Sequence, residues 1–221
     1  MTLPNKLTMF RIILIPVMVV VAYIPVLNET YLGMISVANL INLIIFVIAS
    51  LTDFLDGYIA RKYNLVTTFG KFADPLADKL LVISAMVVLC TQIQNYAKEL
   101  TWFIPGWVII TILCREFIVS GIRLVAVEKG NVIAAGMLGK IKTATTMVAI
   151  IFLFLYQIEF NGVPVFGYIG AILMYLALIF TVLSGIEYFW KNRKVILESI
   201  WSFCKYLYGG IKTWIKKENN H

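Results

Sequence analysis

The sequence predicts an all-α integral membrane protein: six transmembrane helices, an N-terminal interfacial segment and a C-terminal amphipathic helix. Of its 221 residues, 61% are hydrophobic and only 14% are charged. A water-soluble domain of this size could not bury so much apolar surface. The apolar residues also fall into six runs, each long enough to cross the hydrocarbon core of a bilayer as a helix.

The predicted elements follow one another with short polar connections. Residues 1–11 are amphipathic, so we expect them to lie in the membrane interface before the first span. The first span contains Pro16 and Pro25, and the basic residues at 191–194 are expected to end the sixth. The first predicted span begins at residue 7 or 12 and ends at residue 27, and the others cover residues 35–62, 68–92, 102–127, 140–158 and 165–188. Asn161-Gly162 is predicted to form the turn before the last of them.

The chain after residue 194 has a different pattern. Apolar residues recur there at helical spacing, while Lys205, Lys212 and Lys216 fall on other positions. This pattern predicts a basic helix that lies on the membrane surface, with Gly209-Gly210 as a candidate break. We therefore divide the chain into a transmembrane domain, residues 1–194, and a C-terminal tail, residues 195–221.

The positive charges predict the orientation. If the N-terminus is cytoplasmic, Lys98 alone among the 19 Lys and Arg residues lies on the outer side. The opposite orientation would violate the positive-inside rule. We expect a multi-pass protein of a bacterial plasma membrane, with both termini on the cytoplasmic side.

Four carboxylates interrupt the apolar sequence where the second span ends and the third begins. They are Asp53, Asp56, Asp74 and Asp78. Within each pair the spacing of three or four residues places both carboxylates on one helix face. Such a cluster is unfavourable at low dielectric without compensation, and carboxylate oxygens favour hard divalent cations. The cluster predicts a site for Mg²⁺ or Mn²⁺ at the cytoplasmic side.

This arrangement resembles the signature of the CDP-alcohol phosphotransferase family, D-x2-D-G-x2-A-R-x8-G-x3-D-x3-D. Every fixed position is met, by Asp53, Asp56, Gly57, Ala60, Arg61, Gly70, Asp74 and Asp78. A structural polar cluster, or the ion pathway of a cation transporter, would not require Gly, Ala and Arg at those intervals. A transporter also predicts polar residues across the bilayer, and four of the spans carry no charge in their outer halves.

The resemblance implies a site with two metal ions. Asp53 and Asp74 would bridge both ions, Asp56 would complete the first and Asp78 the second. Asp78 would also be the catalytic residue, as general base toward the attacking hydroxyl.

The resemblance also implies a pocket for a CDP-linked lipid. The residues on this side would be Asn5, Thr8, Gly57, Ala60, Arg61, Thr67 and Gly70. The small residues would let the nucleotide approach the backbone, and Arg61 could donate in a fork to phosphate. For the N-terminal residues, a helix cap and a snorkelling Arg11 are the alternative.

A basic set in the fourth and fifth spans predicts an anionic acceptor. Arg115 and Arg123 are two helical turns apart, and Lys140 and Lys142 open the fifth span on the same side. Arginines inside a membrane are costly and usually serve an anion or an acidic partner. Glu116 is such a partner, and a phosphate is the expected anion. Charge balance with the aspartates and binding of lipid headgroups are the alternatives.

Within the family, the N-terminal residues, the aspartate motif and the basic set are most similar to those of bacterial members that use sn-glycerol 3-phosphate as acceptor. The resemblance implies transfer of a phosphatidyl group from CDP-diacylglycerol, with release of CMP. Inositol phosphate or a lipid acceptor remains an alternative, whereas serine fits the basic set less well. Membrane lipid is an expected partner, a homodimer is expected by analogy, and no nucleic-acid partner is expected.

Overall fold

The computed structural model describes residues 3–62, 68–128 and 136–218. These residues form the helices α1 (Leu3–Ala22), α2 (Pro25–Glu29), α3 (Val37–Lys62), α4 (Thr68–Tyr96), α5 (Gly106–Glu128), α6 (Met137–Phe154) and α7 (Val165–Glu218), a 3₁₀ helix (Lys98–Phe103), and the strands β1 (Tyr31–Leu32) and β2 (Ile35–Ser36). The two strands pair antiparallel in one small sheet. The molecule is therefore almost entirely helical.

Six stretches among the described residues are helical, long and apolar enough to cross a membrane. They are Asn5–Ala22, Val37–Gly57, Leu76–Tyr96, Lys98–Arg123, Met137–Phe154 and Val165–Arg193. The prediction of a six-span, all-α membrane protein is confirmed. Span boundaries differ by several residues from the predicted ones, because apolar runs and helix ends are set by different signals.

The spans form one bundle with a continuous apolar core. α1 packs against α3 and α4, while α7 packs against α5 and most extensively against α6. Gly170 of α7 lies so close to α6 that an added Cβ would be 2.9 Å from the backbone nitrogen of Leu153. Small residues at such crossings are what allows membrane helices to pack closely.

One end of the bundle, which we call the hairpin end, carries β1, β2, the 3₁₀ helix and the connection between α6 and α7. The backbone nitrogen of Ser36 donates to Oε1 of Gln157 at 2.7 Å, which ties the strands to that connection. The predicted turn at Asn161-Gly162 is present, and both residues have positive φ angles, 52° and 77°. The candidate site residues lie at the opposite end, which we call the site end.

The N-terminus differs from the expectation. α1 begins at Leu3 and runs to Ala22 without a break, so residues 3–11 are its first turns and not a separate interfacial segment. The reason is visible in the packing, because Thr8 and Arg11 are buried inside the protein at 1% and 0% exposure. α1 also ends earlier than predicted, and Pro25 begins α2 instead of lying within a span.

The tail is helical, as predicted, but α7 does not end at residues 191–194. It continues as one 54-residue helix to Glu218, through Gly209 and Gly210. Basic residues mark the edge of a membrane, yet Lys and Arg are good helix formers and do not stop a helix. The division of the chain at residue 194 therefore has no counterpart in a helix boundary.

Candidate active site

The four aspartates are carried to the site end by the two helices that meet there. α3 presents Asp53 and Asp56 in its last three turns, and α4 presents Asp74 and Asp78 in its first three. The charge of Asp53 interacts with those of both Asp74 and Asp78. Local sequence explains the placement, because α3 ends at Lys62 and α4 begins at Thr68, so the two pairs face each other across a short connection.

Arg11 of α1 reaches into this carboxylate cluster. Its Nη1 lies 2.6 Å from Oδ1 of Asp53, and its Nη2 donates to Oδ2 of Asp56, also at 2.6 Å. The Arg11 side chain is fully buried, and that of Asp56 is 3% exposed. A buried carboxylate is costly unless it is paired, so this arginine contacts two of the four carboxylates and supplies one positive charge against them.

Thr8 lies one turn before Arg11 on the same helix and binds a third aspartate. Its Oγ1 donates to Oδ1 of Asp74 at 2.5 Å. Asn5, a further turn earlier, is also buried, at 8% exposure. Residues three apart share a helix face, so α1 carries one buried polar stripe, Asn5–Thr8–Arg11, of which Thr8 and Arg11 contact the aspartates. The predicted place of Asn5 and Thr8 beside a bound lipid stays a prediction, and the structure adds the contact between Thr8 and Asp74.

The aspartates fit a hard cation by their chemistry. Oδ1 of Asp78 is buried and has no hydrogen-bond partner among the described residues, which is what a vacant ligand oxygen requires. Within residues 3–62, 68–128 and 136–218, no three His, Cys, Asp or Glu side chains are arranged around a single point. The guanidinium of Arg11 lies between Asp53 and Asp56 instead.

A cavity of about 1070 Å³ opens beside Asp78 at the site end. All four basic residues of the predicted acceptor site line it, together with Glu116. They are Arg115, Arg123, Lys140 and Lys142. The sequence predicted that these residues share one membrane side, and the structure brings them to the wall of one cavity with the candidate base.

Glu116 connects two of these cations. Its Oε1 accepts from Nη1 of Arg115 at 2.8 Å and from Nζ of Lys142 at 2.6 Å. Arg115 also donates through Nη2 to Oγ of Ser184 at 2.8 Å, which ties α5 to α7. Lys142 is 5% exposed. One carboxylate therefore holds two cations in place but neutralises only one of them.

Donors remain for an anion in this cavity. Nε of Arg115 and Nε of Arg123 are both buried and have no hydrogen-bond partner among the described residues. The guanidinium of Arg123 stacks over the ring of Tyr188, at 5.6 Å from its centroid. Buried N–H groups are normally satisfied, so two unsatisfied guanidinium nitrogens beside a cavity indicate a place for phosphate oxygens.

The predicted nucleotide side is described only in part. Gly57 lies in α3, one residue after Asp56. The helix backbone includes Ala60, Arg61 and Gly70, but the surroundings of these residues lie outside what the structure describes. Thr67 falls between the described ranges. Their assignment to a CDP-linked lipid stays a prediction.

Sequence reasoning missed several residues of the site. Lys79 follows Asp78 directly and lines the same cavity, where its Nζ donates to Oγ of Ser120. Tyr188 and Ser184 of α7 line it as well. The position of Lys79 directly after the last aspartate of the motif could have indicated that it belongs to the site. Ser184 and Tyr188 belong to a segment, residues 183–188, that is similar to the bacterial members of the family, but only packing brings α7 against α5.

Comparison with known proteins gives the family. The family model described as CDP-alcohol phosphatidyltransferase matches residues 1–183. This chain belongs to the CDP-alcohol phosphatidyltransferase family. As a phosphatidyltransferase it is an enzyme, and the matched region contains the aspartate cluster, the stripe on α1 and every basic residue of the cavity wall except Lys191.

Several CDP-alcohol phosphatidyltransferases are similar over most of their length. The CDP-diacylglycerol–glycerol-3-phosphate 3-phosphatidyltransferase of Bacillus subtilis (strain 168) is 45% identical over 204 residues, which are 89% of this chain and 98% of that protein. The protein of the same name from Rickettsia typhi is 42% identical over 188 residues, 85% of this chain and 94% of its own. The protein of the same name from Salmonella choleraesuis is 33% identical over 204 residues, which are 89% of this chain and 97% of that protein.

Proposed function

We propose that this enzyme transfers the phosphatidyl group of CDP-diacylglycerol to sn-glycerol 3-phosphate and releases CMP. The names of the three relatives support both substrates. The product is a phosphatidylglycerol phosphate, so the enzyme serves phospholipid biosynthesis. The observation that carries the proposal is the cavity in which four cations surround a space beside the Asp78 carboxylate.

The cavity suits an acceptor that carries its own phosphate. Arg115 and Arg123 each keep one buried, unsatisfied N–H for an anion. Lys140 lines the cavity and is exposed, so it adds attraction for an incoming anion. An uncharged alcohol would leave these donors without partners, and a buried unsatisfied donor is unfavourable. The charge pattern therefore favours a phosphorylated alcohol over serine or a free alcohol.

The transfer replaces the phosphoanhydride bond of the diphosphate with a phosphate ester bond to the acceptor. A hydroxyl oxygen of sn-glycerol 3-phosphate attacks the phosphorus of the phosphatidyl group, and the bond from that phosphorus to the CMP oxygen breaks. Asp78 takes the hydroxyl proton as the new bond forms. Asp78 is suited to this role because it lines the acceptor cavity and its Oδ1 has no hydrogen-bond partner among the described residues.

The carboxylate chemistry suits two divalent ions, Mg²⁺ or Mn²⁺, held by Asp53, Asp56, Asp74 and Asp78. Such ions would neutralise the diphosphate and the charge that develops on departing CMP. Other side chains of the protein hold the reacting groups in position. Thr8 fixes Asp74 by a hydrogen bond, and Glu116 fixes the cations that hold the acceptor. Fixed groups of this kind lower the barrier because less ordering is needed when the reaction occurs.

The proposed setting is the cytoplasmic face of a bacterial plasma membrane. The site end carries most of the cationic residues, and the positive-inside rule places such an end in the cytoplasm. CDP-diacylglycerol would enter sideways from the bilayer, with its acyl chains remaining among lipids. The acceptor, which is soluble and anionic, would enter the cavity from the cytosol.

The test is acceptor-dependent transfer by the purified enzyme. Vesicles containing CDP-diacylglycerol are incubated with Mg²⁺ or Mn²⁺ and with radiolabelled sn-glycerol 3-phosphate, inositol phosphate or serine, and labelled lipid and CMP are measured together. We expect both products in equal amounts with sn-glycerol 3-phosphate alone. Transfer to another acceptor would contradict the acceptor assignment, and no transfer from folded protein would contradict the enzymatic proposal.

A further inference from the structure

We propose that Arg11 is an internal counter-cation of the aspartate cluster and competes with the divalent ions for it. The inference rests on the proposed function, since that function supplies the ions. It concerns a residue that the reaction scheme leaves without a role. The arginine is placed by α1, the only one of the three helices meeting here that carries no member of the aspartate motif.

The position of Arg11 has two effects: it attracts the carboxylates and it would repel metal ions bound by them. Its two terminal nitrogens lie 2.6 Å from Oδ1 of Asp53 and 2.6 Å from Oδ2 of Asp56. The contact from Nη2 to Asp56 is a charge-assisted hydrogen bond, and the contact from Nη1 to Asp53 is an ion pair. Metal ions bound by the same two carboxylates would lie within a few ångströms of this positive charge, and like charges at that separation repel.

Burial makes the competition strong. The Arg11 side chain is fully buried and Asp56 is 3% exposed, so little water screens that contact, whereas Asp53 is 33% exposed and its contact is screened more. The position of Arg11 is further restrained because Thr8, one turn earlier on the same helix, donates a hydrogen bond to Asp74. The arginine cannot turn into solvent without disturbing a helix that packs on both α3 and α4.

The arrangement also explains how four carboxylates fold into an apolar bundle before ions bind. Without a counter-charge, clustered carboxylates are strongly unfavourable at low dielectric. Arg11 supplies one positive charge permanently, which stabilises the metal-free protein and weakens its affinity for metal. Removing the charge should therefore move these two properties in opposite directions. A residue that merely packed α1, or merely held the aspartates in their binding geometry, would not produce that pattern.

The experiment is a titration of the purified, substrate-free enzyme with Mn²⁺, followed by electron paramagnetic resonance, together with melting temperatures with and without the ion. Arg11→Met removes the charge and keeps a long apolar side chain. We expect its Kd for Mn²⁺ to fall about tenfold or more, and its melting temperature to fall without Mn²⁺ and to recover with it. Arg11→Gln should also lower the Kd for Mn²⁺ and the melting temperature without Mn²⁺. It replaces Arg11→Met in the experiment if that variant does not fold.

Two controls make the result specific. Lys6→Gln removes the same charge from an exposed position of the same helix, and it should leave the Kd within about twofold, because exposed charges are screened. Arg11→Lys keeps the charge and should bind Mn²⁺ more weakly than Arg11→Met does.

The outcomes separate this inference from the proposed function. An unchanged or higher Kd in folded Arg11→Met or Arg11→Gln, with normal binding by the wild-type enzyme, would overturn the role of Arg11 and leave the reaction intact. Mn²⁺ binding by the wild-type enzyme that Asp53→Asn does not weaken would place the ion elsewhere. That result would overturn both this inference and the metal site of the proposed function.

Discussion

Asp78 combines two properties that a general base in this reaction needs. It lines the acceptor cavity, and its Oδ1 is buried without a hydrogen-bond partner among the described residues. We predict that Asp78→Asn, which keeps the shape but cannot take a proton, lowers the rate of CMP release about 10²- to 10⁴-fold. The melting temperature in detergent should stay close to that of the wild-type enzyme. Substantial turnover by the folded variant would rule out the assignment.

Arg115 lies between Glu116 and Ser184 with its Nε directed to no partner among the described residues. We predict that Arg115→Ala raises the KM for sn-glycerol 3-phosphate about tenfold or more, since a hydrogen bond to a charged group contributes about 1.5–3 kcal/mol. The KM for CDP-diacylglycerol should change by less than about threefold on the same reasoning.

The matched control for Arg115→Ala is Arg193→Ala. Arg193 stacks on Trp190 at the same end of the bundle and is exposed, so its loss changes the net charge equally. Its variant should keep both KM values near those of the wild-type enzyme. If Arg115→Ala instead affected the CDP-diacylglycerol KM alone, the two pockets would have to be exchanged in the assignment.

For single residues, the sequence indicated which residue types form the site, but not which side chains contact each other. The aspartates and the basic set could be recognised because charge is rare in an apolar chain and its spacing was regular. The pairing of Arg11 with Asp53 and Asp56 joins residues more than 40 positions apart, and only the packing of α1 on α3 brings them together. The hydrogen bond from Thr8 to Asp74 was not predicted, and the assignment of Thr8 to the lipid pocket stays a prediction.

Among the helices, the contact between α6 and α7 depends on Gly170. An added Cβ there would lie 2.8 Å from Cγ of Leu153 and 2.9 Å from its backbone nitrogen, and a backbone atom cannot move aside easily. We predict that Gly170→Ala destabilises the folded protein by about 1–3 kcal/mol through overpacking. The measurement is the melting temperature in detergent.

The control for Gly170→Ala is Gly121→Ala in α5, where an added Cβ meets nothing within 4 Å. Alanine is the better helix former, so this variant should be as stable as the wild-type protein or slightly more stable. Equal melting temperatures for the two variants would show that α6 and α7 are not held at the distance the structure describes.

Helix existence was predictable and helix ends were not. Each apolar run became a span, because the bilayer requires about 20 apolar residues and a satisfied backbone. α7 runs on through the basic residues at 191–194 and through Gly209 and Gly210, since none of these prevents helical geometry. The strands β1 and β2 were missed because each is two residues long, too short to show an alternating pattern.

For the whole molecule, the distribution of charge predicts that the site end faces the cytoplasm. The test replaces the native Cys90, Cys114 and Cys204 and introduces one cysteine at a time, Lys98→Cys or Arg193→Cys. A membrane-impermeant maleimide added to intact cells should label the cysteine at 98, in the 3₁₀ helix of the hairpin end. It should label the one at 193 only after permeabilisation. The reverse pattern would contradict the orientation and the cytosolic entry of the acceptor.

The membrane class and family were readable from sequence because they depend on composition and on one regular motif. The shape of the acceptor cavity was not, because α4, α5, α6 and α7 all contribute to its wall. The same holds for the distribution of counter-charges. Glu116 restrains two cations and Arg11 restrains two carboxylates, so the site contains its own ion pairs before any substrate is present.

The most direct test of the central claim, that the acceptor phosphate binds in the basic cavity beside Asp78, is equilibrium binding of sn-glycerol 3-phosphate to Asp78→Asn protein, which does not consume it. We predict saturable binding that inorganic phosphate displaces. Adding Arg123→Gln should weaken it about tenfold or more, and adding Arg193→Ala should leave it unchanged. Binding that persists after the loss of Arg123, or that glycerol without phosphate displaces equally well, would contradict the claim.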